Sequence, residues 1–115
     1  MALVAVSARG STPDDGVDPR FGRAAGFVVY DTATSGWSFL PNTVSRDLPQ
    51  GAGLAAAEML ARAGIGVVLT GSVGPKAALA LGAAKIAFRE NTFRGTIRQA
   101  VAEYLATRKL GEALA

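Results

Sequence analysis

Two glycine-bearing turns, each placed directly before a helical pattern, are the features of this sequence that could do chemistry. Gly51-Ala52-Gly53 precedes the run 54–63, and Gly71-Ser72-Val73-Gly74-Pro75 precedes the run 76–81. A helix start presents backbone N–H groups without helical acceptors and a partial positive charge, and both attract an anion. Glycine before a helix can instead be required for a positive φ or for close packing. Each turn taken alone therefore supports either anion binding or a purely structural role.

Two arginines in the first long loop offer positive charge to the same ligand. Arg20 and Arg23 flank Phe21 and Gly22 within the glycine- and proline-rich stretch 8–24. Loops of this length are uncommon in compact domains and are usually functional. We therefore predict that both arginines face the mouth formed by the two helix starts and bind an anion there.

The motifs that would indicate catalysis are absent or incomplete. The chain contains no cysteine and no histidine, which removes thiol nucleophiles, the commonest neutral metal ligand and the usual base near pH 7. The G-x-G-x-x-A match at Gly51 follows a loop rather than a strand, and Ala77 stands where a P-loop needs Ser or Thr. The run 3–7 lacks the carboxylate that a ribonuclease-H-type nuclease needs. We expect no enzymatic activity, no catalytic residue and no metal ligand.

Two charged regions each have a second interpretation. Asp14, Asp15 and Asp18 could bind a cation weakly, but aspartates in such a loop more often form turns. Six Lys and Arg residues against two Glu make the stretch 85–109 basic, which could contact RNA or an acidic protein but is more commonly a solvated helix face. Aromatic residues interleave sparsely with these charges, so nucleic-acid binding is disfavoured.

Length and composition predict one globular domain, 1–115. Half of the 115 residues are hydrophobic, 18% are charged and the net charge is +3, which does not fit a disordered chain. No run of about 18 apolar residues occurs, and the apolar start is too short for a signal peptide. We expect a cytoplasmic protein without membrane contact.

Hydrophobic runs predict the elements that must position these residues. Strands are expected at 3–6, 27–30, 37–40, 67–69 and 86–88, and the second and third form an antiparallel hairpin. This order predicts a mixed five-stranded sheet whose later strands are parallel.

Three helices are expected between and after these strands. The first buries one face and stops at Gly64; that face comprises Leu54, Ala57, Leu60 and Ala61. The second starts at Pro75 with Gly74 as its cap. Thr96 and Gln99 form a capping-box signature for the third.

Four segments of the chain together resemble the dinitrogenase iron–molybdenum cofactor-binding family. They are Phe21-Gly22-Arg23, Asn42, Gly51-Ala52-Gly53 and Thr70–Pro75, and their order and spacing agree over nearly the whole chain. The resemblance implies an α/β, ribonuclease-H-like fold with a five-stranded mixed sheet flanked by helices. The hydrophobic pattern predicts the same sheet.

The resemblance also implies a function: non-enzymatic binding or carriage of an anionic iron–sulfur or iron–molybdenum cluster or precursor, as in nitrogenase cofactor biosynthesis. Without Cys or His, the chain would hold such a cluster through arginines and helix N-termini. The same arrangement would also hold a phosphate or a small carboxylate. The residues expected at this cofactor-binding site are Arg20, Phe21, Gly22, Arg23, Asn42, Gly51, Gly53, Gly71, Ser72 and Gly74.

The expected partners follow from this interpretation and from one alternative. In the cluster-carrier interpretation, the ligand is an anionic cluster or a small anion, and a further partner is a protein of cluster assembly. The alternative is a regulatory or scaffolding module of the same fold that binds a partner protein without any cluster. A homo-oligomer is compatible with both.

Overall fold

Short apolar runs form a mixed sheet in the computed structural model, which describes residues 3–43, 47–48, 50–91 and 95–114, with side chains as far as 107. The strands are β1 (Leu3–Ala8), β2 (Gly26–Asp31), β3 (Gly36–Pro41), β4 (Val67–Leu69) and β5 (Ala87–Arg89). Within the described residues they form a five-stranded sheet of order β3-β2-β1-β4-β5. The hairpin strands β2 and β3 are antiparallel, and β1, β4 and β5 run parallel. This is the predicted sheet, although β5 lies one residue later than expected.

Within the described ranges, three helices cover the two faces of the sheet. They are α1 (Ala52–Arg62), α2 (Pro75–Ala83) and α3 (Ile97–Leu114). Along β1, Ala5 packs towards α1 and α2, whereas Val4 and Val6 pack towards α3. Because β1 is buried on both faces, its residues 3–6 are continuously apolar rather than alternating. None of the helices in the described ranges has the length and apolar character needed to cross a bilayer.

The buried face of α1 differs from the one predicted. Leu54 is 40% exposed and Ala61 is also exposed, so the prediction was wrong at these two positions. The residues of α1 that are buried are Ala52, Ala56, Ala57 and Leu60. Within this helix Gly53 faces α2, and a Cβ there would lie 3.1 Å from the Cβ of Ala77.

The ends of the helices follow the predicted chemistry. Gly64 has a φ of 77° directly after α1, the left-handed conformation that commonly ends a helix. At the start of α3, the Gln99 N–H donates to Thr96 Oγ1 at 3.1 Å and the Thr96 N–H donates to Gln99 Oε1 at 2.8 Å. This reciprocal pair is the capping box that the sequence predicted.

Backbone hydrogen bonds attach the first long loop to the sheet and to α3. The Asp18 N–H donates to Ser7 O at 2.8 Å, and the Ser72 N–H donates to Pro19 O at 2.9 Å. Loop carbonyls in turn accept from the first amides of α3, including a 3.0 Å bond from the Ile97 N–H to Asp15 O. The loop therefore has a defined place beside the turn that follows β4.

Close backbone contact explains the glycine at Gly71. A Cβ on this residue would lie 2.5 Å from the Cα of Pro19, which is far inside van der Waals contact. Gly71→Ala should therefore lower the free energy of unfolding by about 1–3 kcal/mol, because the loop and the turn must separate.

Gly82→Ala provides the matched control in a urea denaturation experiment. Outside its own stretch of helix, no described atom lies within 4 Å of a Cβ at Gly82, and alanine in a helix is favoured over glycine by up to about 1 kcal/mol. Equal stability of the two variants would contradict the packing role of Gly71.

Candidate functional site

The N-termini of α1 and α2 open onto one cleft of about 700 Å³. Its lining residues come from the first loop, from the start of α1 and the two residues before it, and from the turn before α2 and the first residues of α2. They are Phe21, Gly22, Arg23, Gln50, Gly51, Ala52, Gly53, Leu54, Ser72, Gly74, Pro75, Lys76 and Ala77. We call this space the helix-start cleft.

Among the described residues, no side chain caps either helix that opens on the cleft. Gly51 precedes α1 with a φ of 78°, and Gly74 precedes α2 with a φ of −68°, and neither helix start has a side-chain cap hydrogen bond. The first helical bonds are made by the N–H groups of Ala55 and Ala78, at 3.0 and 2.9 Å. The amides that precede them have no acceptor within their own helix. The cleft therefore offers backbone donors and the positive ends of two helix dipoles.

The charged side chains that line the cleft are basic. They are Arg23 and Lys76, and none of the described lining residues is acidic. The Arg23 guanidinium donates to the Leu48 carbonyl, which connects the cleft wall to the loop before α1. Lys76 was missed in the predicted site residues, although its position directly after Gly74-Pro75 places it in the first turn of a helix.

The structure brings seven of the ten predicted site residues to the cleft. These seven are Phe21, Gly22, Arg23, Gly51, Gly53, Ser72 and Gly74. The structure does not bring Arg20, Asn42 or Gly71 to the described cleft wall. Whether the seven bind a ligand stays a prediction.

Asn42 supports the cleft from behind rather than lining it. Its side chain is 1% exposed, and its Nδ2 donates to the carbonyls of Gly22 and Ala24, each at 3.1 Å. Its Oδ1 accepts no hydrogen bond from any residue that the structure describes. Asn42 therefore fixes the backbone of the segment that carries Gly22 and Arg23.

Arg20 is paired with a buried carboxylate. Its Nε donates to Asp18 Oδ1 and its Nη2 to Asp18 Oδ2, both at 3.1 Å. Burial by itself would raise the pKa of the Asp18 carboxyl, but the hydrogen bonds from Arg20 and the charges of Arg20 and Arg9 together lower it. Asp18 thus remains charged in the fold and holds Arg20.

The other two loop aspartates also have intramolecular roles. Asp15 Oδ2 accepts from the Thr12 N–H and hydroxyl, each at 2.9 Å, which is the turn-forming role. Asp14 pairs with Arg98 at 3.0 Å on the surface. No group of three or more potential metal-ligating acidic residues occurs in the part of the chain that the structure describes.

Two arginines of the basic C-terminal third also contact aromatic rings. Arg98 lies 5.5 Å from the centroid of Trp37, and Arg89 lies 4.9 Å from the centroid of Tyr104. Phe93, which bears on the RNA-binding interpretation, lies outside the described residues. These contacts favour a structural role for the two arginines.

Comparison with known proteins identifies a matching family and solved structures with a similar fold. The family described as "Dinitrogenase iron-molybdenum cofactor" matches residues 2–107. The apo form of the orange protein from Desulfovibrio gigas has 50% sequence identity and a TM-score of 0.90, covering 93% of this chain and 89% of that chain. A NifB-like protein of the DUF35 family from Thermotoga has 29% identity and a TM-score of 0.80, covering 94% and 90%. A search of curated proteins found no match.

The pairing of Asp18 with Arg20 predicts a pH dependence of stability. The pKa of Asp18 lies below its ordinary value in the fold, so the stabilisation is complete above about pH 4 and is lost as the pH falls through the lowered pKa. Asp18→Asn should cost about 1–2 kcal/mol at pH 7, and this difference from the wild type should shrink below about pH 4.

Asp14→Asn is the control, because it removes a surface ion pair whose carboxylate is 74% exposed and which water screens, so stability should change little. Thermal unfolding between pH 3 and 7 measures both variants. The account fails if the Asp18 variant loses no stability at pH 7, or if its deficit is the same at every pH.

Proposed function

The chain belongs to the dinitrogenase iron–molybdenum cofactor family, and we propose that it binds or carries an anionic iron–sulfur or iron–molybdenum cluster, or a precursor, in the helix-start cleft. In this role the protein is a carrier and performs no catalysis. One observation carries the proposal: two helix N-termini, neither capped by a side chain in the part of the chain that the structure describes, open on a single cleft. The third helix is the internal contrast, because a capping box and loop carbonyls occupy its first amides.

The residues present fit an anion held through its outer atoms, not through metal–protein bonds. The chain has no Cys or His, so thiolate and imidazole ligation of iron does not fit, and carboxylates suit sulfide-bridged iron poorly. Backbone N–H groups, together with Arg23 and Lys76, can instead donate to the outer sulfur or oxygen atoms of an intact cluster. The cluster is then cargo, bound and released without ligand exchange at the metal.

The apolar part of the cleft wall favours a large, soft anion over a small, strongly hydrated one. Phe21, Leu54 and Pro75 line the cleft beside the helix starts. Removing a compact anion such as phosphate from water costs more than removing a large ion with dispersed charge. A cleft of about 700 Å³ also exceeds what a single phosphate would fill.

The relatives support a binding role. The structure from Desulfovibrio gigas is an apo form. The word apo implies that this relative also has a ligand-bound form. It shares half of its aligned residues with this chain and nearly the whole fold. A ligand-binding cleft within the shared fold would account most simply for a binding role in both proteins.

Gly74→Ala tests whether the cleft is the binding site. Gly74 has a φ of −68°, and beyond its chain neighbours no described atom lies within 4 Å of a Cβ there, so alanine fits the backbone and costs no more than about 1 kcal/mol at a helix cap. The methyl group would enter space that the ligand needs. We expect the affinity for tetrathiomolybdate, a sulfur-ligated molybdenum anion, to fall by about tenfold.

Gly82→Ala is the control for this titration, because it adds the same methyl group at the far end of α2. Absorbance or tryptophan fluorescence follows binding, and thermal unfolding shows that each variant is folded. Undiminished affinity in folded Gly74→Ala would move the site away from this turn.

Lys76→Met tests the contribution of charge. Lys76 lines the cleft at the second residue of α2, where its charge adds to that of the helix N-terminus. We expect the affinity for tetrathiomolybdate to fall by about three- to tenfold at low salt, and by less at high salt because ions screen the interaction.

Lys85→Met makes the same change of charge at an exposed residue outside the described cleft wall. Titrations at two salt concentrations compare the two variants. If both variants weaken binding equally, the effect comes from net charge and Lys76 has no specific role.

A further inference from the structure

The first long loop borders a second cavity, of about 460 Å³, that shares no described lining residue with the helix-start cleft. Its lining residues are Arg9, Asp18, Pro19, Arg20 and Ala25. Two guanidinium groups and one carboxylate give this cavity, the two-arginine pocket, a net charge of +1 (two positive charges and one negative). The proposed cluster site makes no use of it.

The carboxylate in this pocket is directed at Arg20 and not at solvent. Asp18 Oδ1 accepts from the Arg20 N–H at 2.9 Å and from Arg20 Nε at 3.1 Å, while Oδ2 accepts from Nη2 at 3.1 Å. The Asp18 side chain is only 5% exposed, whereas that of Arg20 is 64% exposed. A guanidinium has five N–H donors in a rigid plane, so the edge of Arg20 that bears Nη1 points away from Asp18.

Arg9 is held in a similar way by a neutral acceptor. Its Nε donates to the Val17 carbonyl at 3.2 Å, and its backbone N–H donates to Gly16 O at 3.0 Å. The Nη groups of Arg9 are not used in these bonds. The charge of Arg9 also contributes to the lowered pKa of Asp18, which is consistent with the three charges forming one cluster.

We propose that the two-arginine pocket binds a small tetrahedral oxyanion, either inorganic phosphate or the phosphate group of a larger molecule. Guanidinium groups match the geometry of phosphate oxygens, and each arginine here is already fixed by hydrogen bonds. Fixing the donors before binding lowers the entropy lost when the anion arrives. The proposal goes beyond the cluster-carrier function, because the cavity and the ligand chemistry are both different.

An NMR titration of the full chain with inorganic phosphate tests this pocket. Ionic strength is kept constant with chloride, and amide shifts are followed at each step. We expect saturable shifts at Arg9, Asp18 and Arg20, and an affinity at least about fivefold weaker in each of Arg9→Ala and Arg20→Ala.

Arg98→Ala is the matched control, because it removes an arginine that also pairs with an aspartate, at 3.0 Å, but lines no cavity described here. We expect its phosphate affinity to equal that of the wild type. Arg20→Lys keeps the charge and removes the planar fork, so it should weaken binding even if Arg20→Ala lowers stability.

A second titration, with glucose 6-phosphate, separates the two sources of the anion. Tighter binding of the ester than of inorganic phosphate assigns the pocket to a phosphorylated molecule, and equal or weaker binding assigns it to the free ion. Shifts that chloride alone reproduces, or equal weakening by Arg98→Ala, would overturn the proposal.

Measuring the affinity of these variants for tetrathiomolybdate tests the phosphate proposal independently of the cluster-carrier function. Arg9→Ala should leave tetrathiomolybdate affinity unchanged, and Gly74→Ala should leave phosphate affinity unchanged. Loss of both ligands in Arg9→Ala would show one shared site and would contradict the assignment of a second pocket.

Discussion

The close approach of the first long loop to the starts of α1 and α2 is the constraint on which the candidate site depends. A Cβ on Gly22 would lie 2.6 Å from the backbone nitrogen of Gly53, and a Cβ on Gly71 would collide with Pro19. Only residues without side chains allow these backbones to meet. Because they meet, one loop and two helix starts from distant parts of the chain border a single cleft, and a buried Asn42 fixes the loop from behind.

The starts of α1, α2 and α3 differ in whether their first backbone amides already have hydrogen-bond partners. The loop and the capping box occupy the first amides of α3, which fastens the loop to the far face of the sheet. The starts of α1 and α2 are capped by glycine without a side-chain bond, so their amides are left to a ligand or to water. The apolar wall favours a large, soft ligand, and the two basic residues favour a negatively charged one. For these reasons we propose a large sulfur-bearing cluster as the cargo of the cleft.

Much of the fold could be predicted because local patterns specify it: the apolar runs gave the strands, and Gly64, Pro75 and the Thr96–Gln99 pair gave helix boundaries. Side-chain direction was harder, since it depends on tertiary contacts. The spacing of Leu54 on its helix does not reveal that Gly53, and not Leu54, faces α2. Arg20 looked like an anion ligand of the cleft, but a buried Asp18 two residues away holds it beside another cavity. The cluster-binding role of the cleft residues stays a prediction.

The most direct measurement of the central claim is an amide NMR map of the wild-type protein as tetrathiomolybdate is added. The account predicts saturable shifts concentrated at the first-turn amides of both helices, namely those of Ala52, Gly53, Lys76 and Ala77, with little change at the start of α3. Shifts at the start of α3 alone, or shifts spread over the basic surface without saturation, would contradict the claim that the two open helix starts form the binding site.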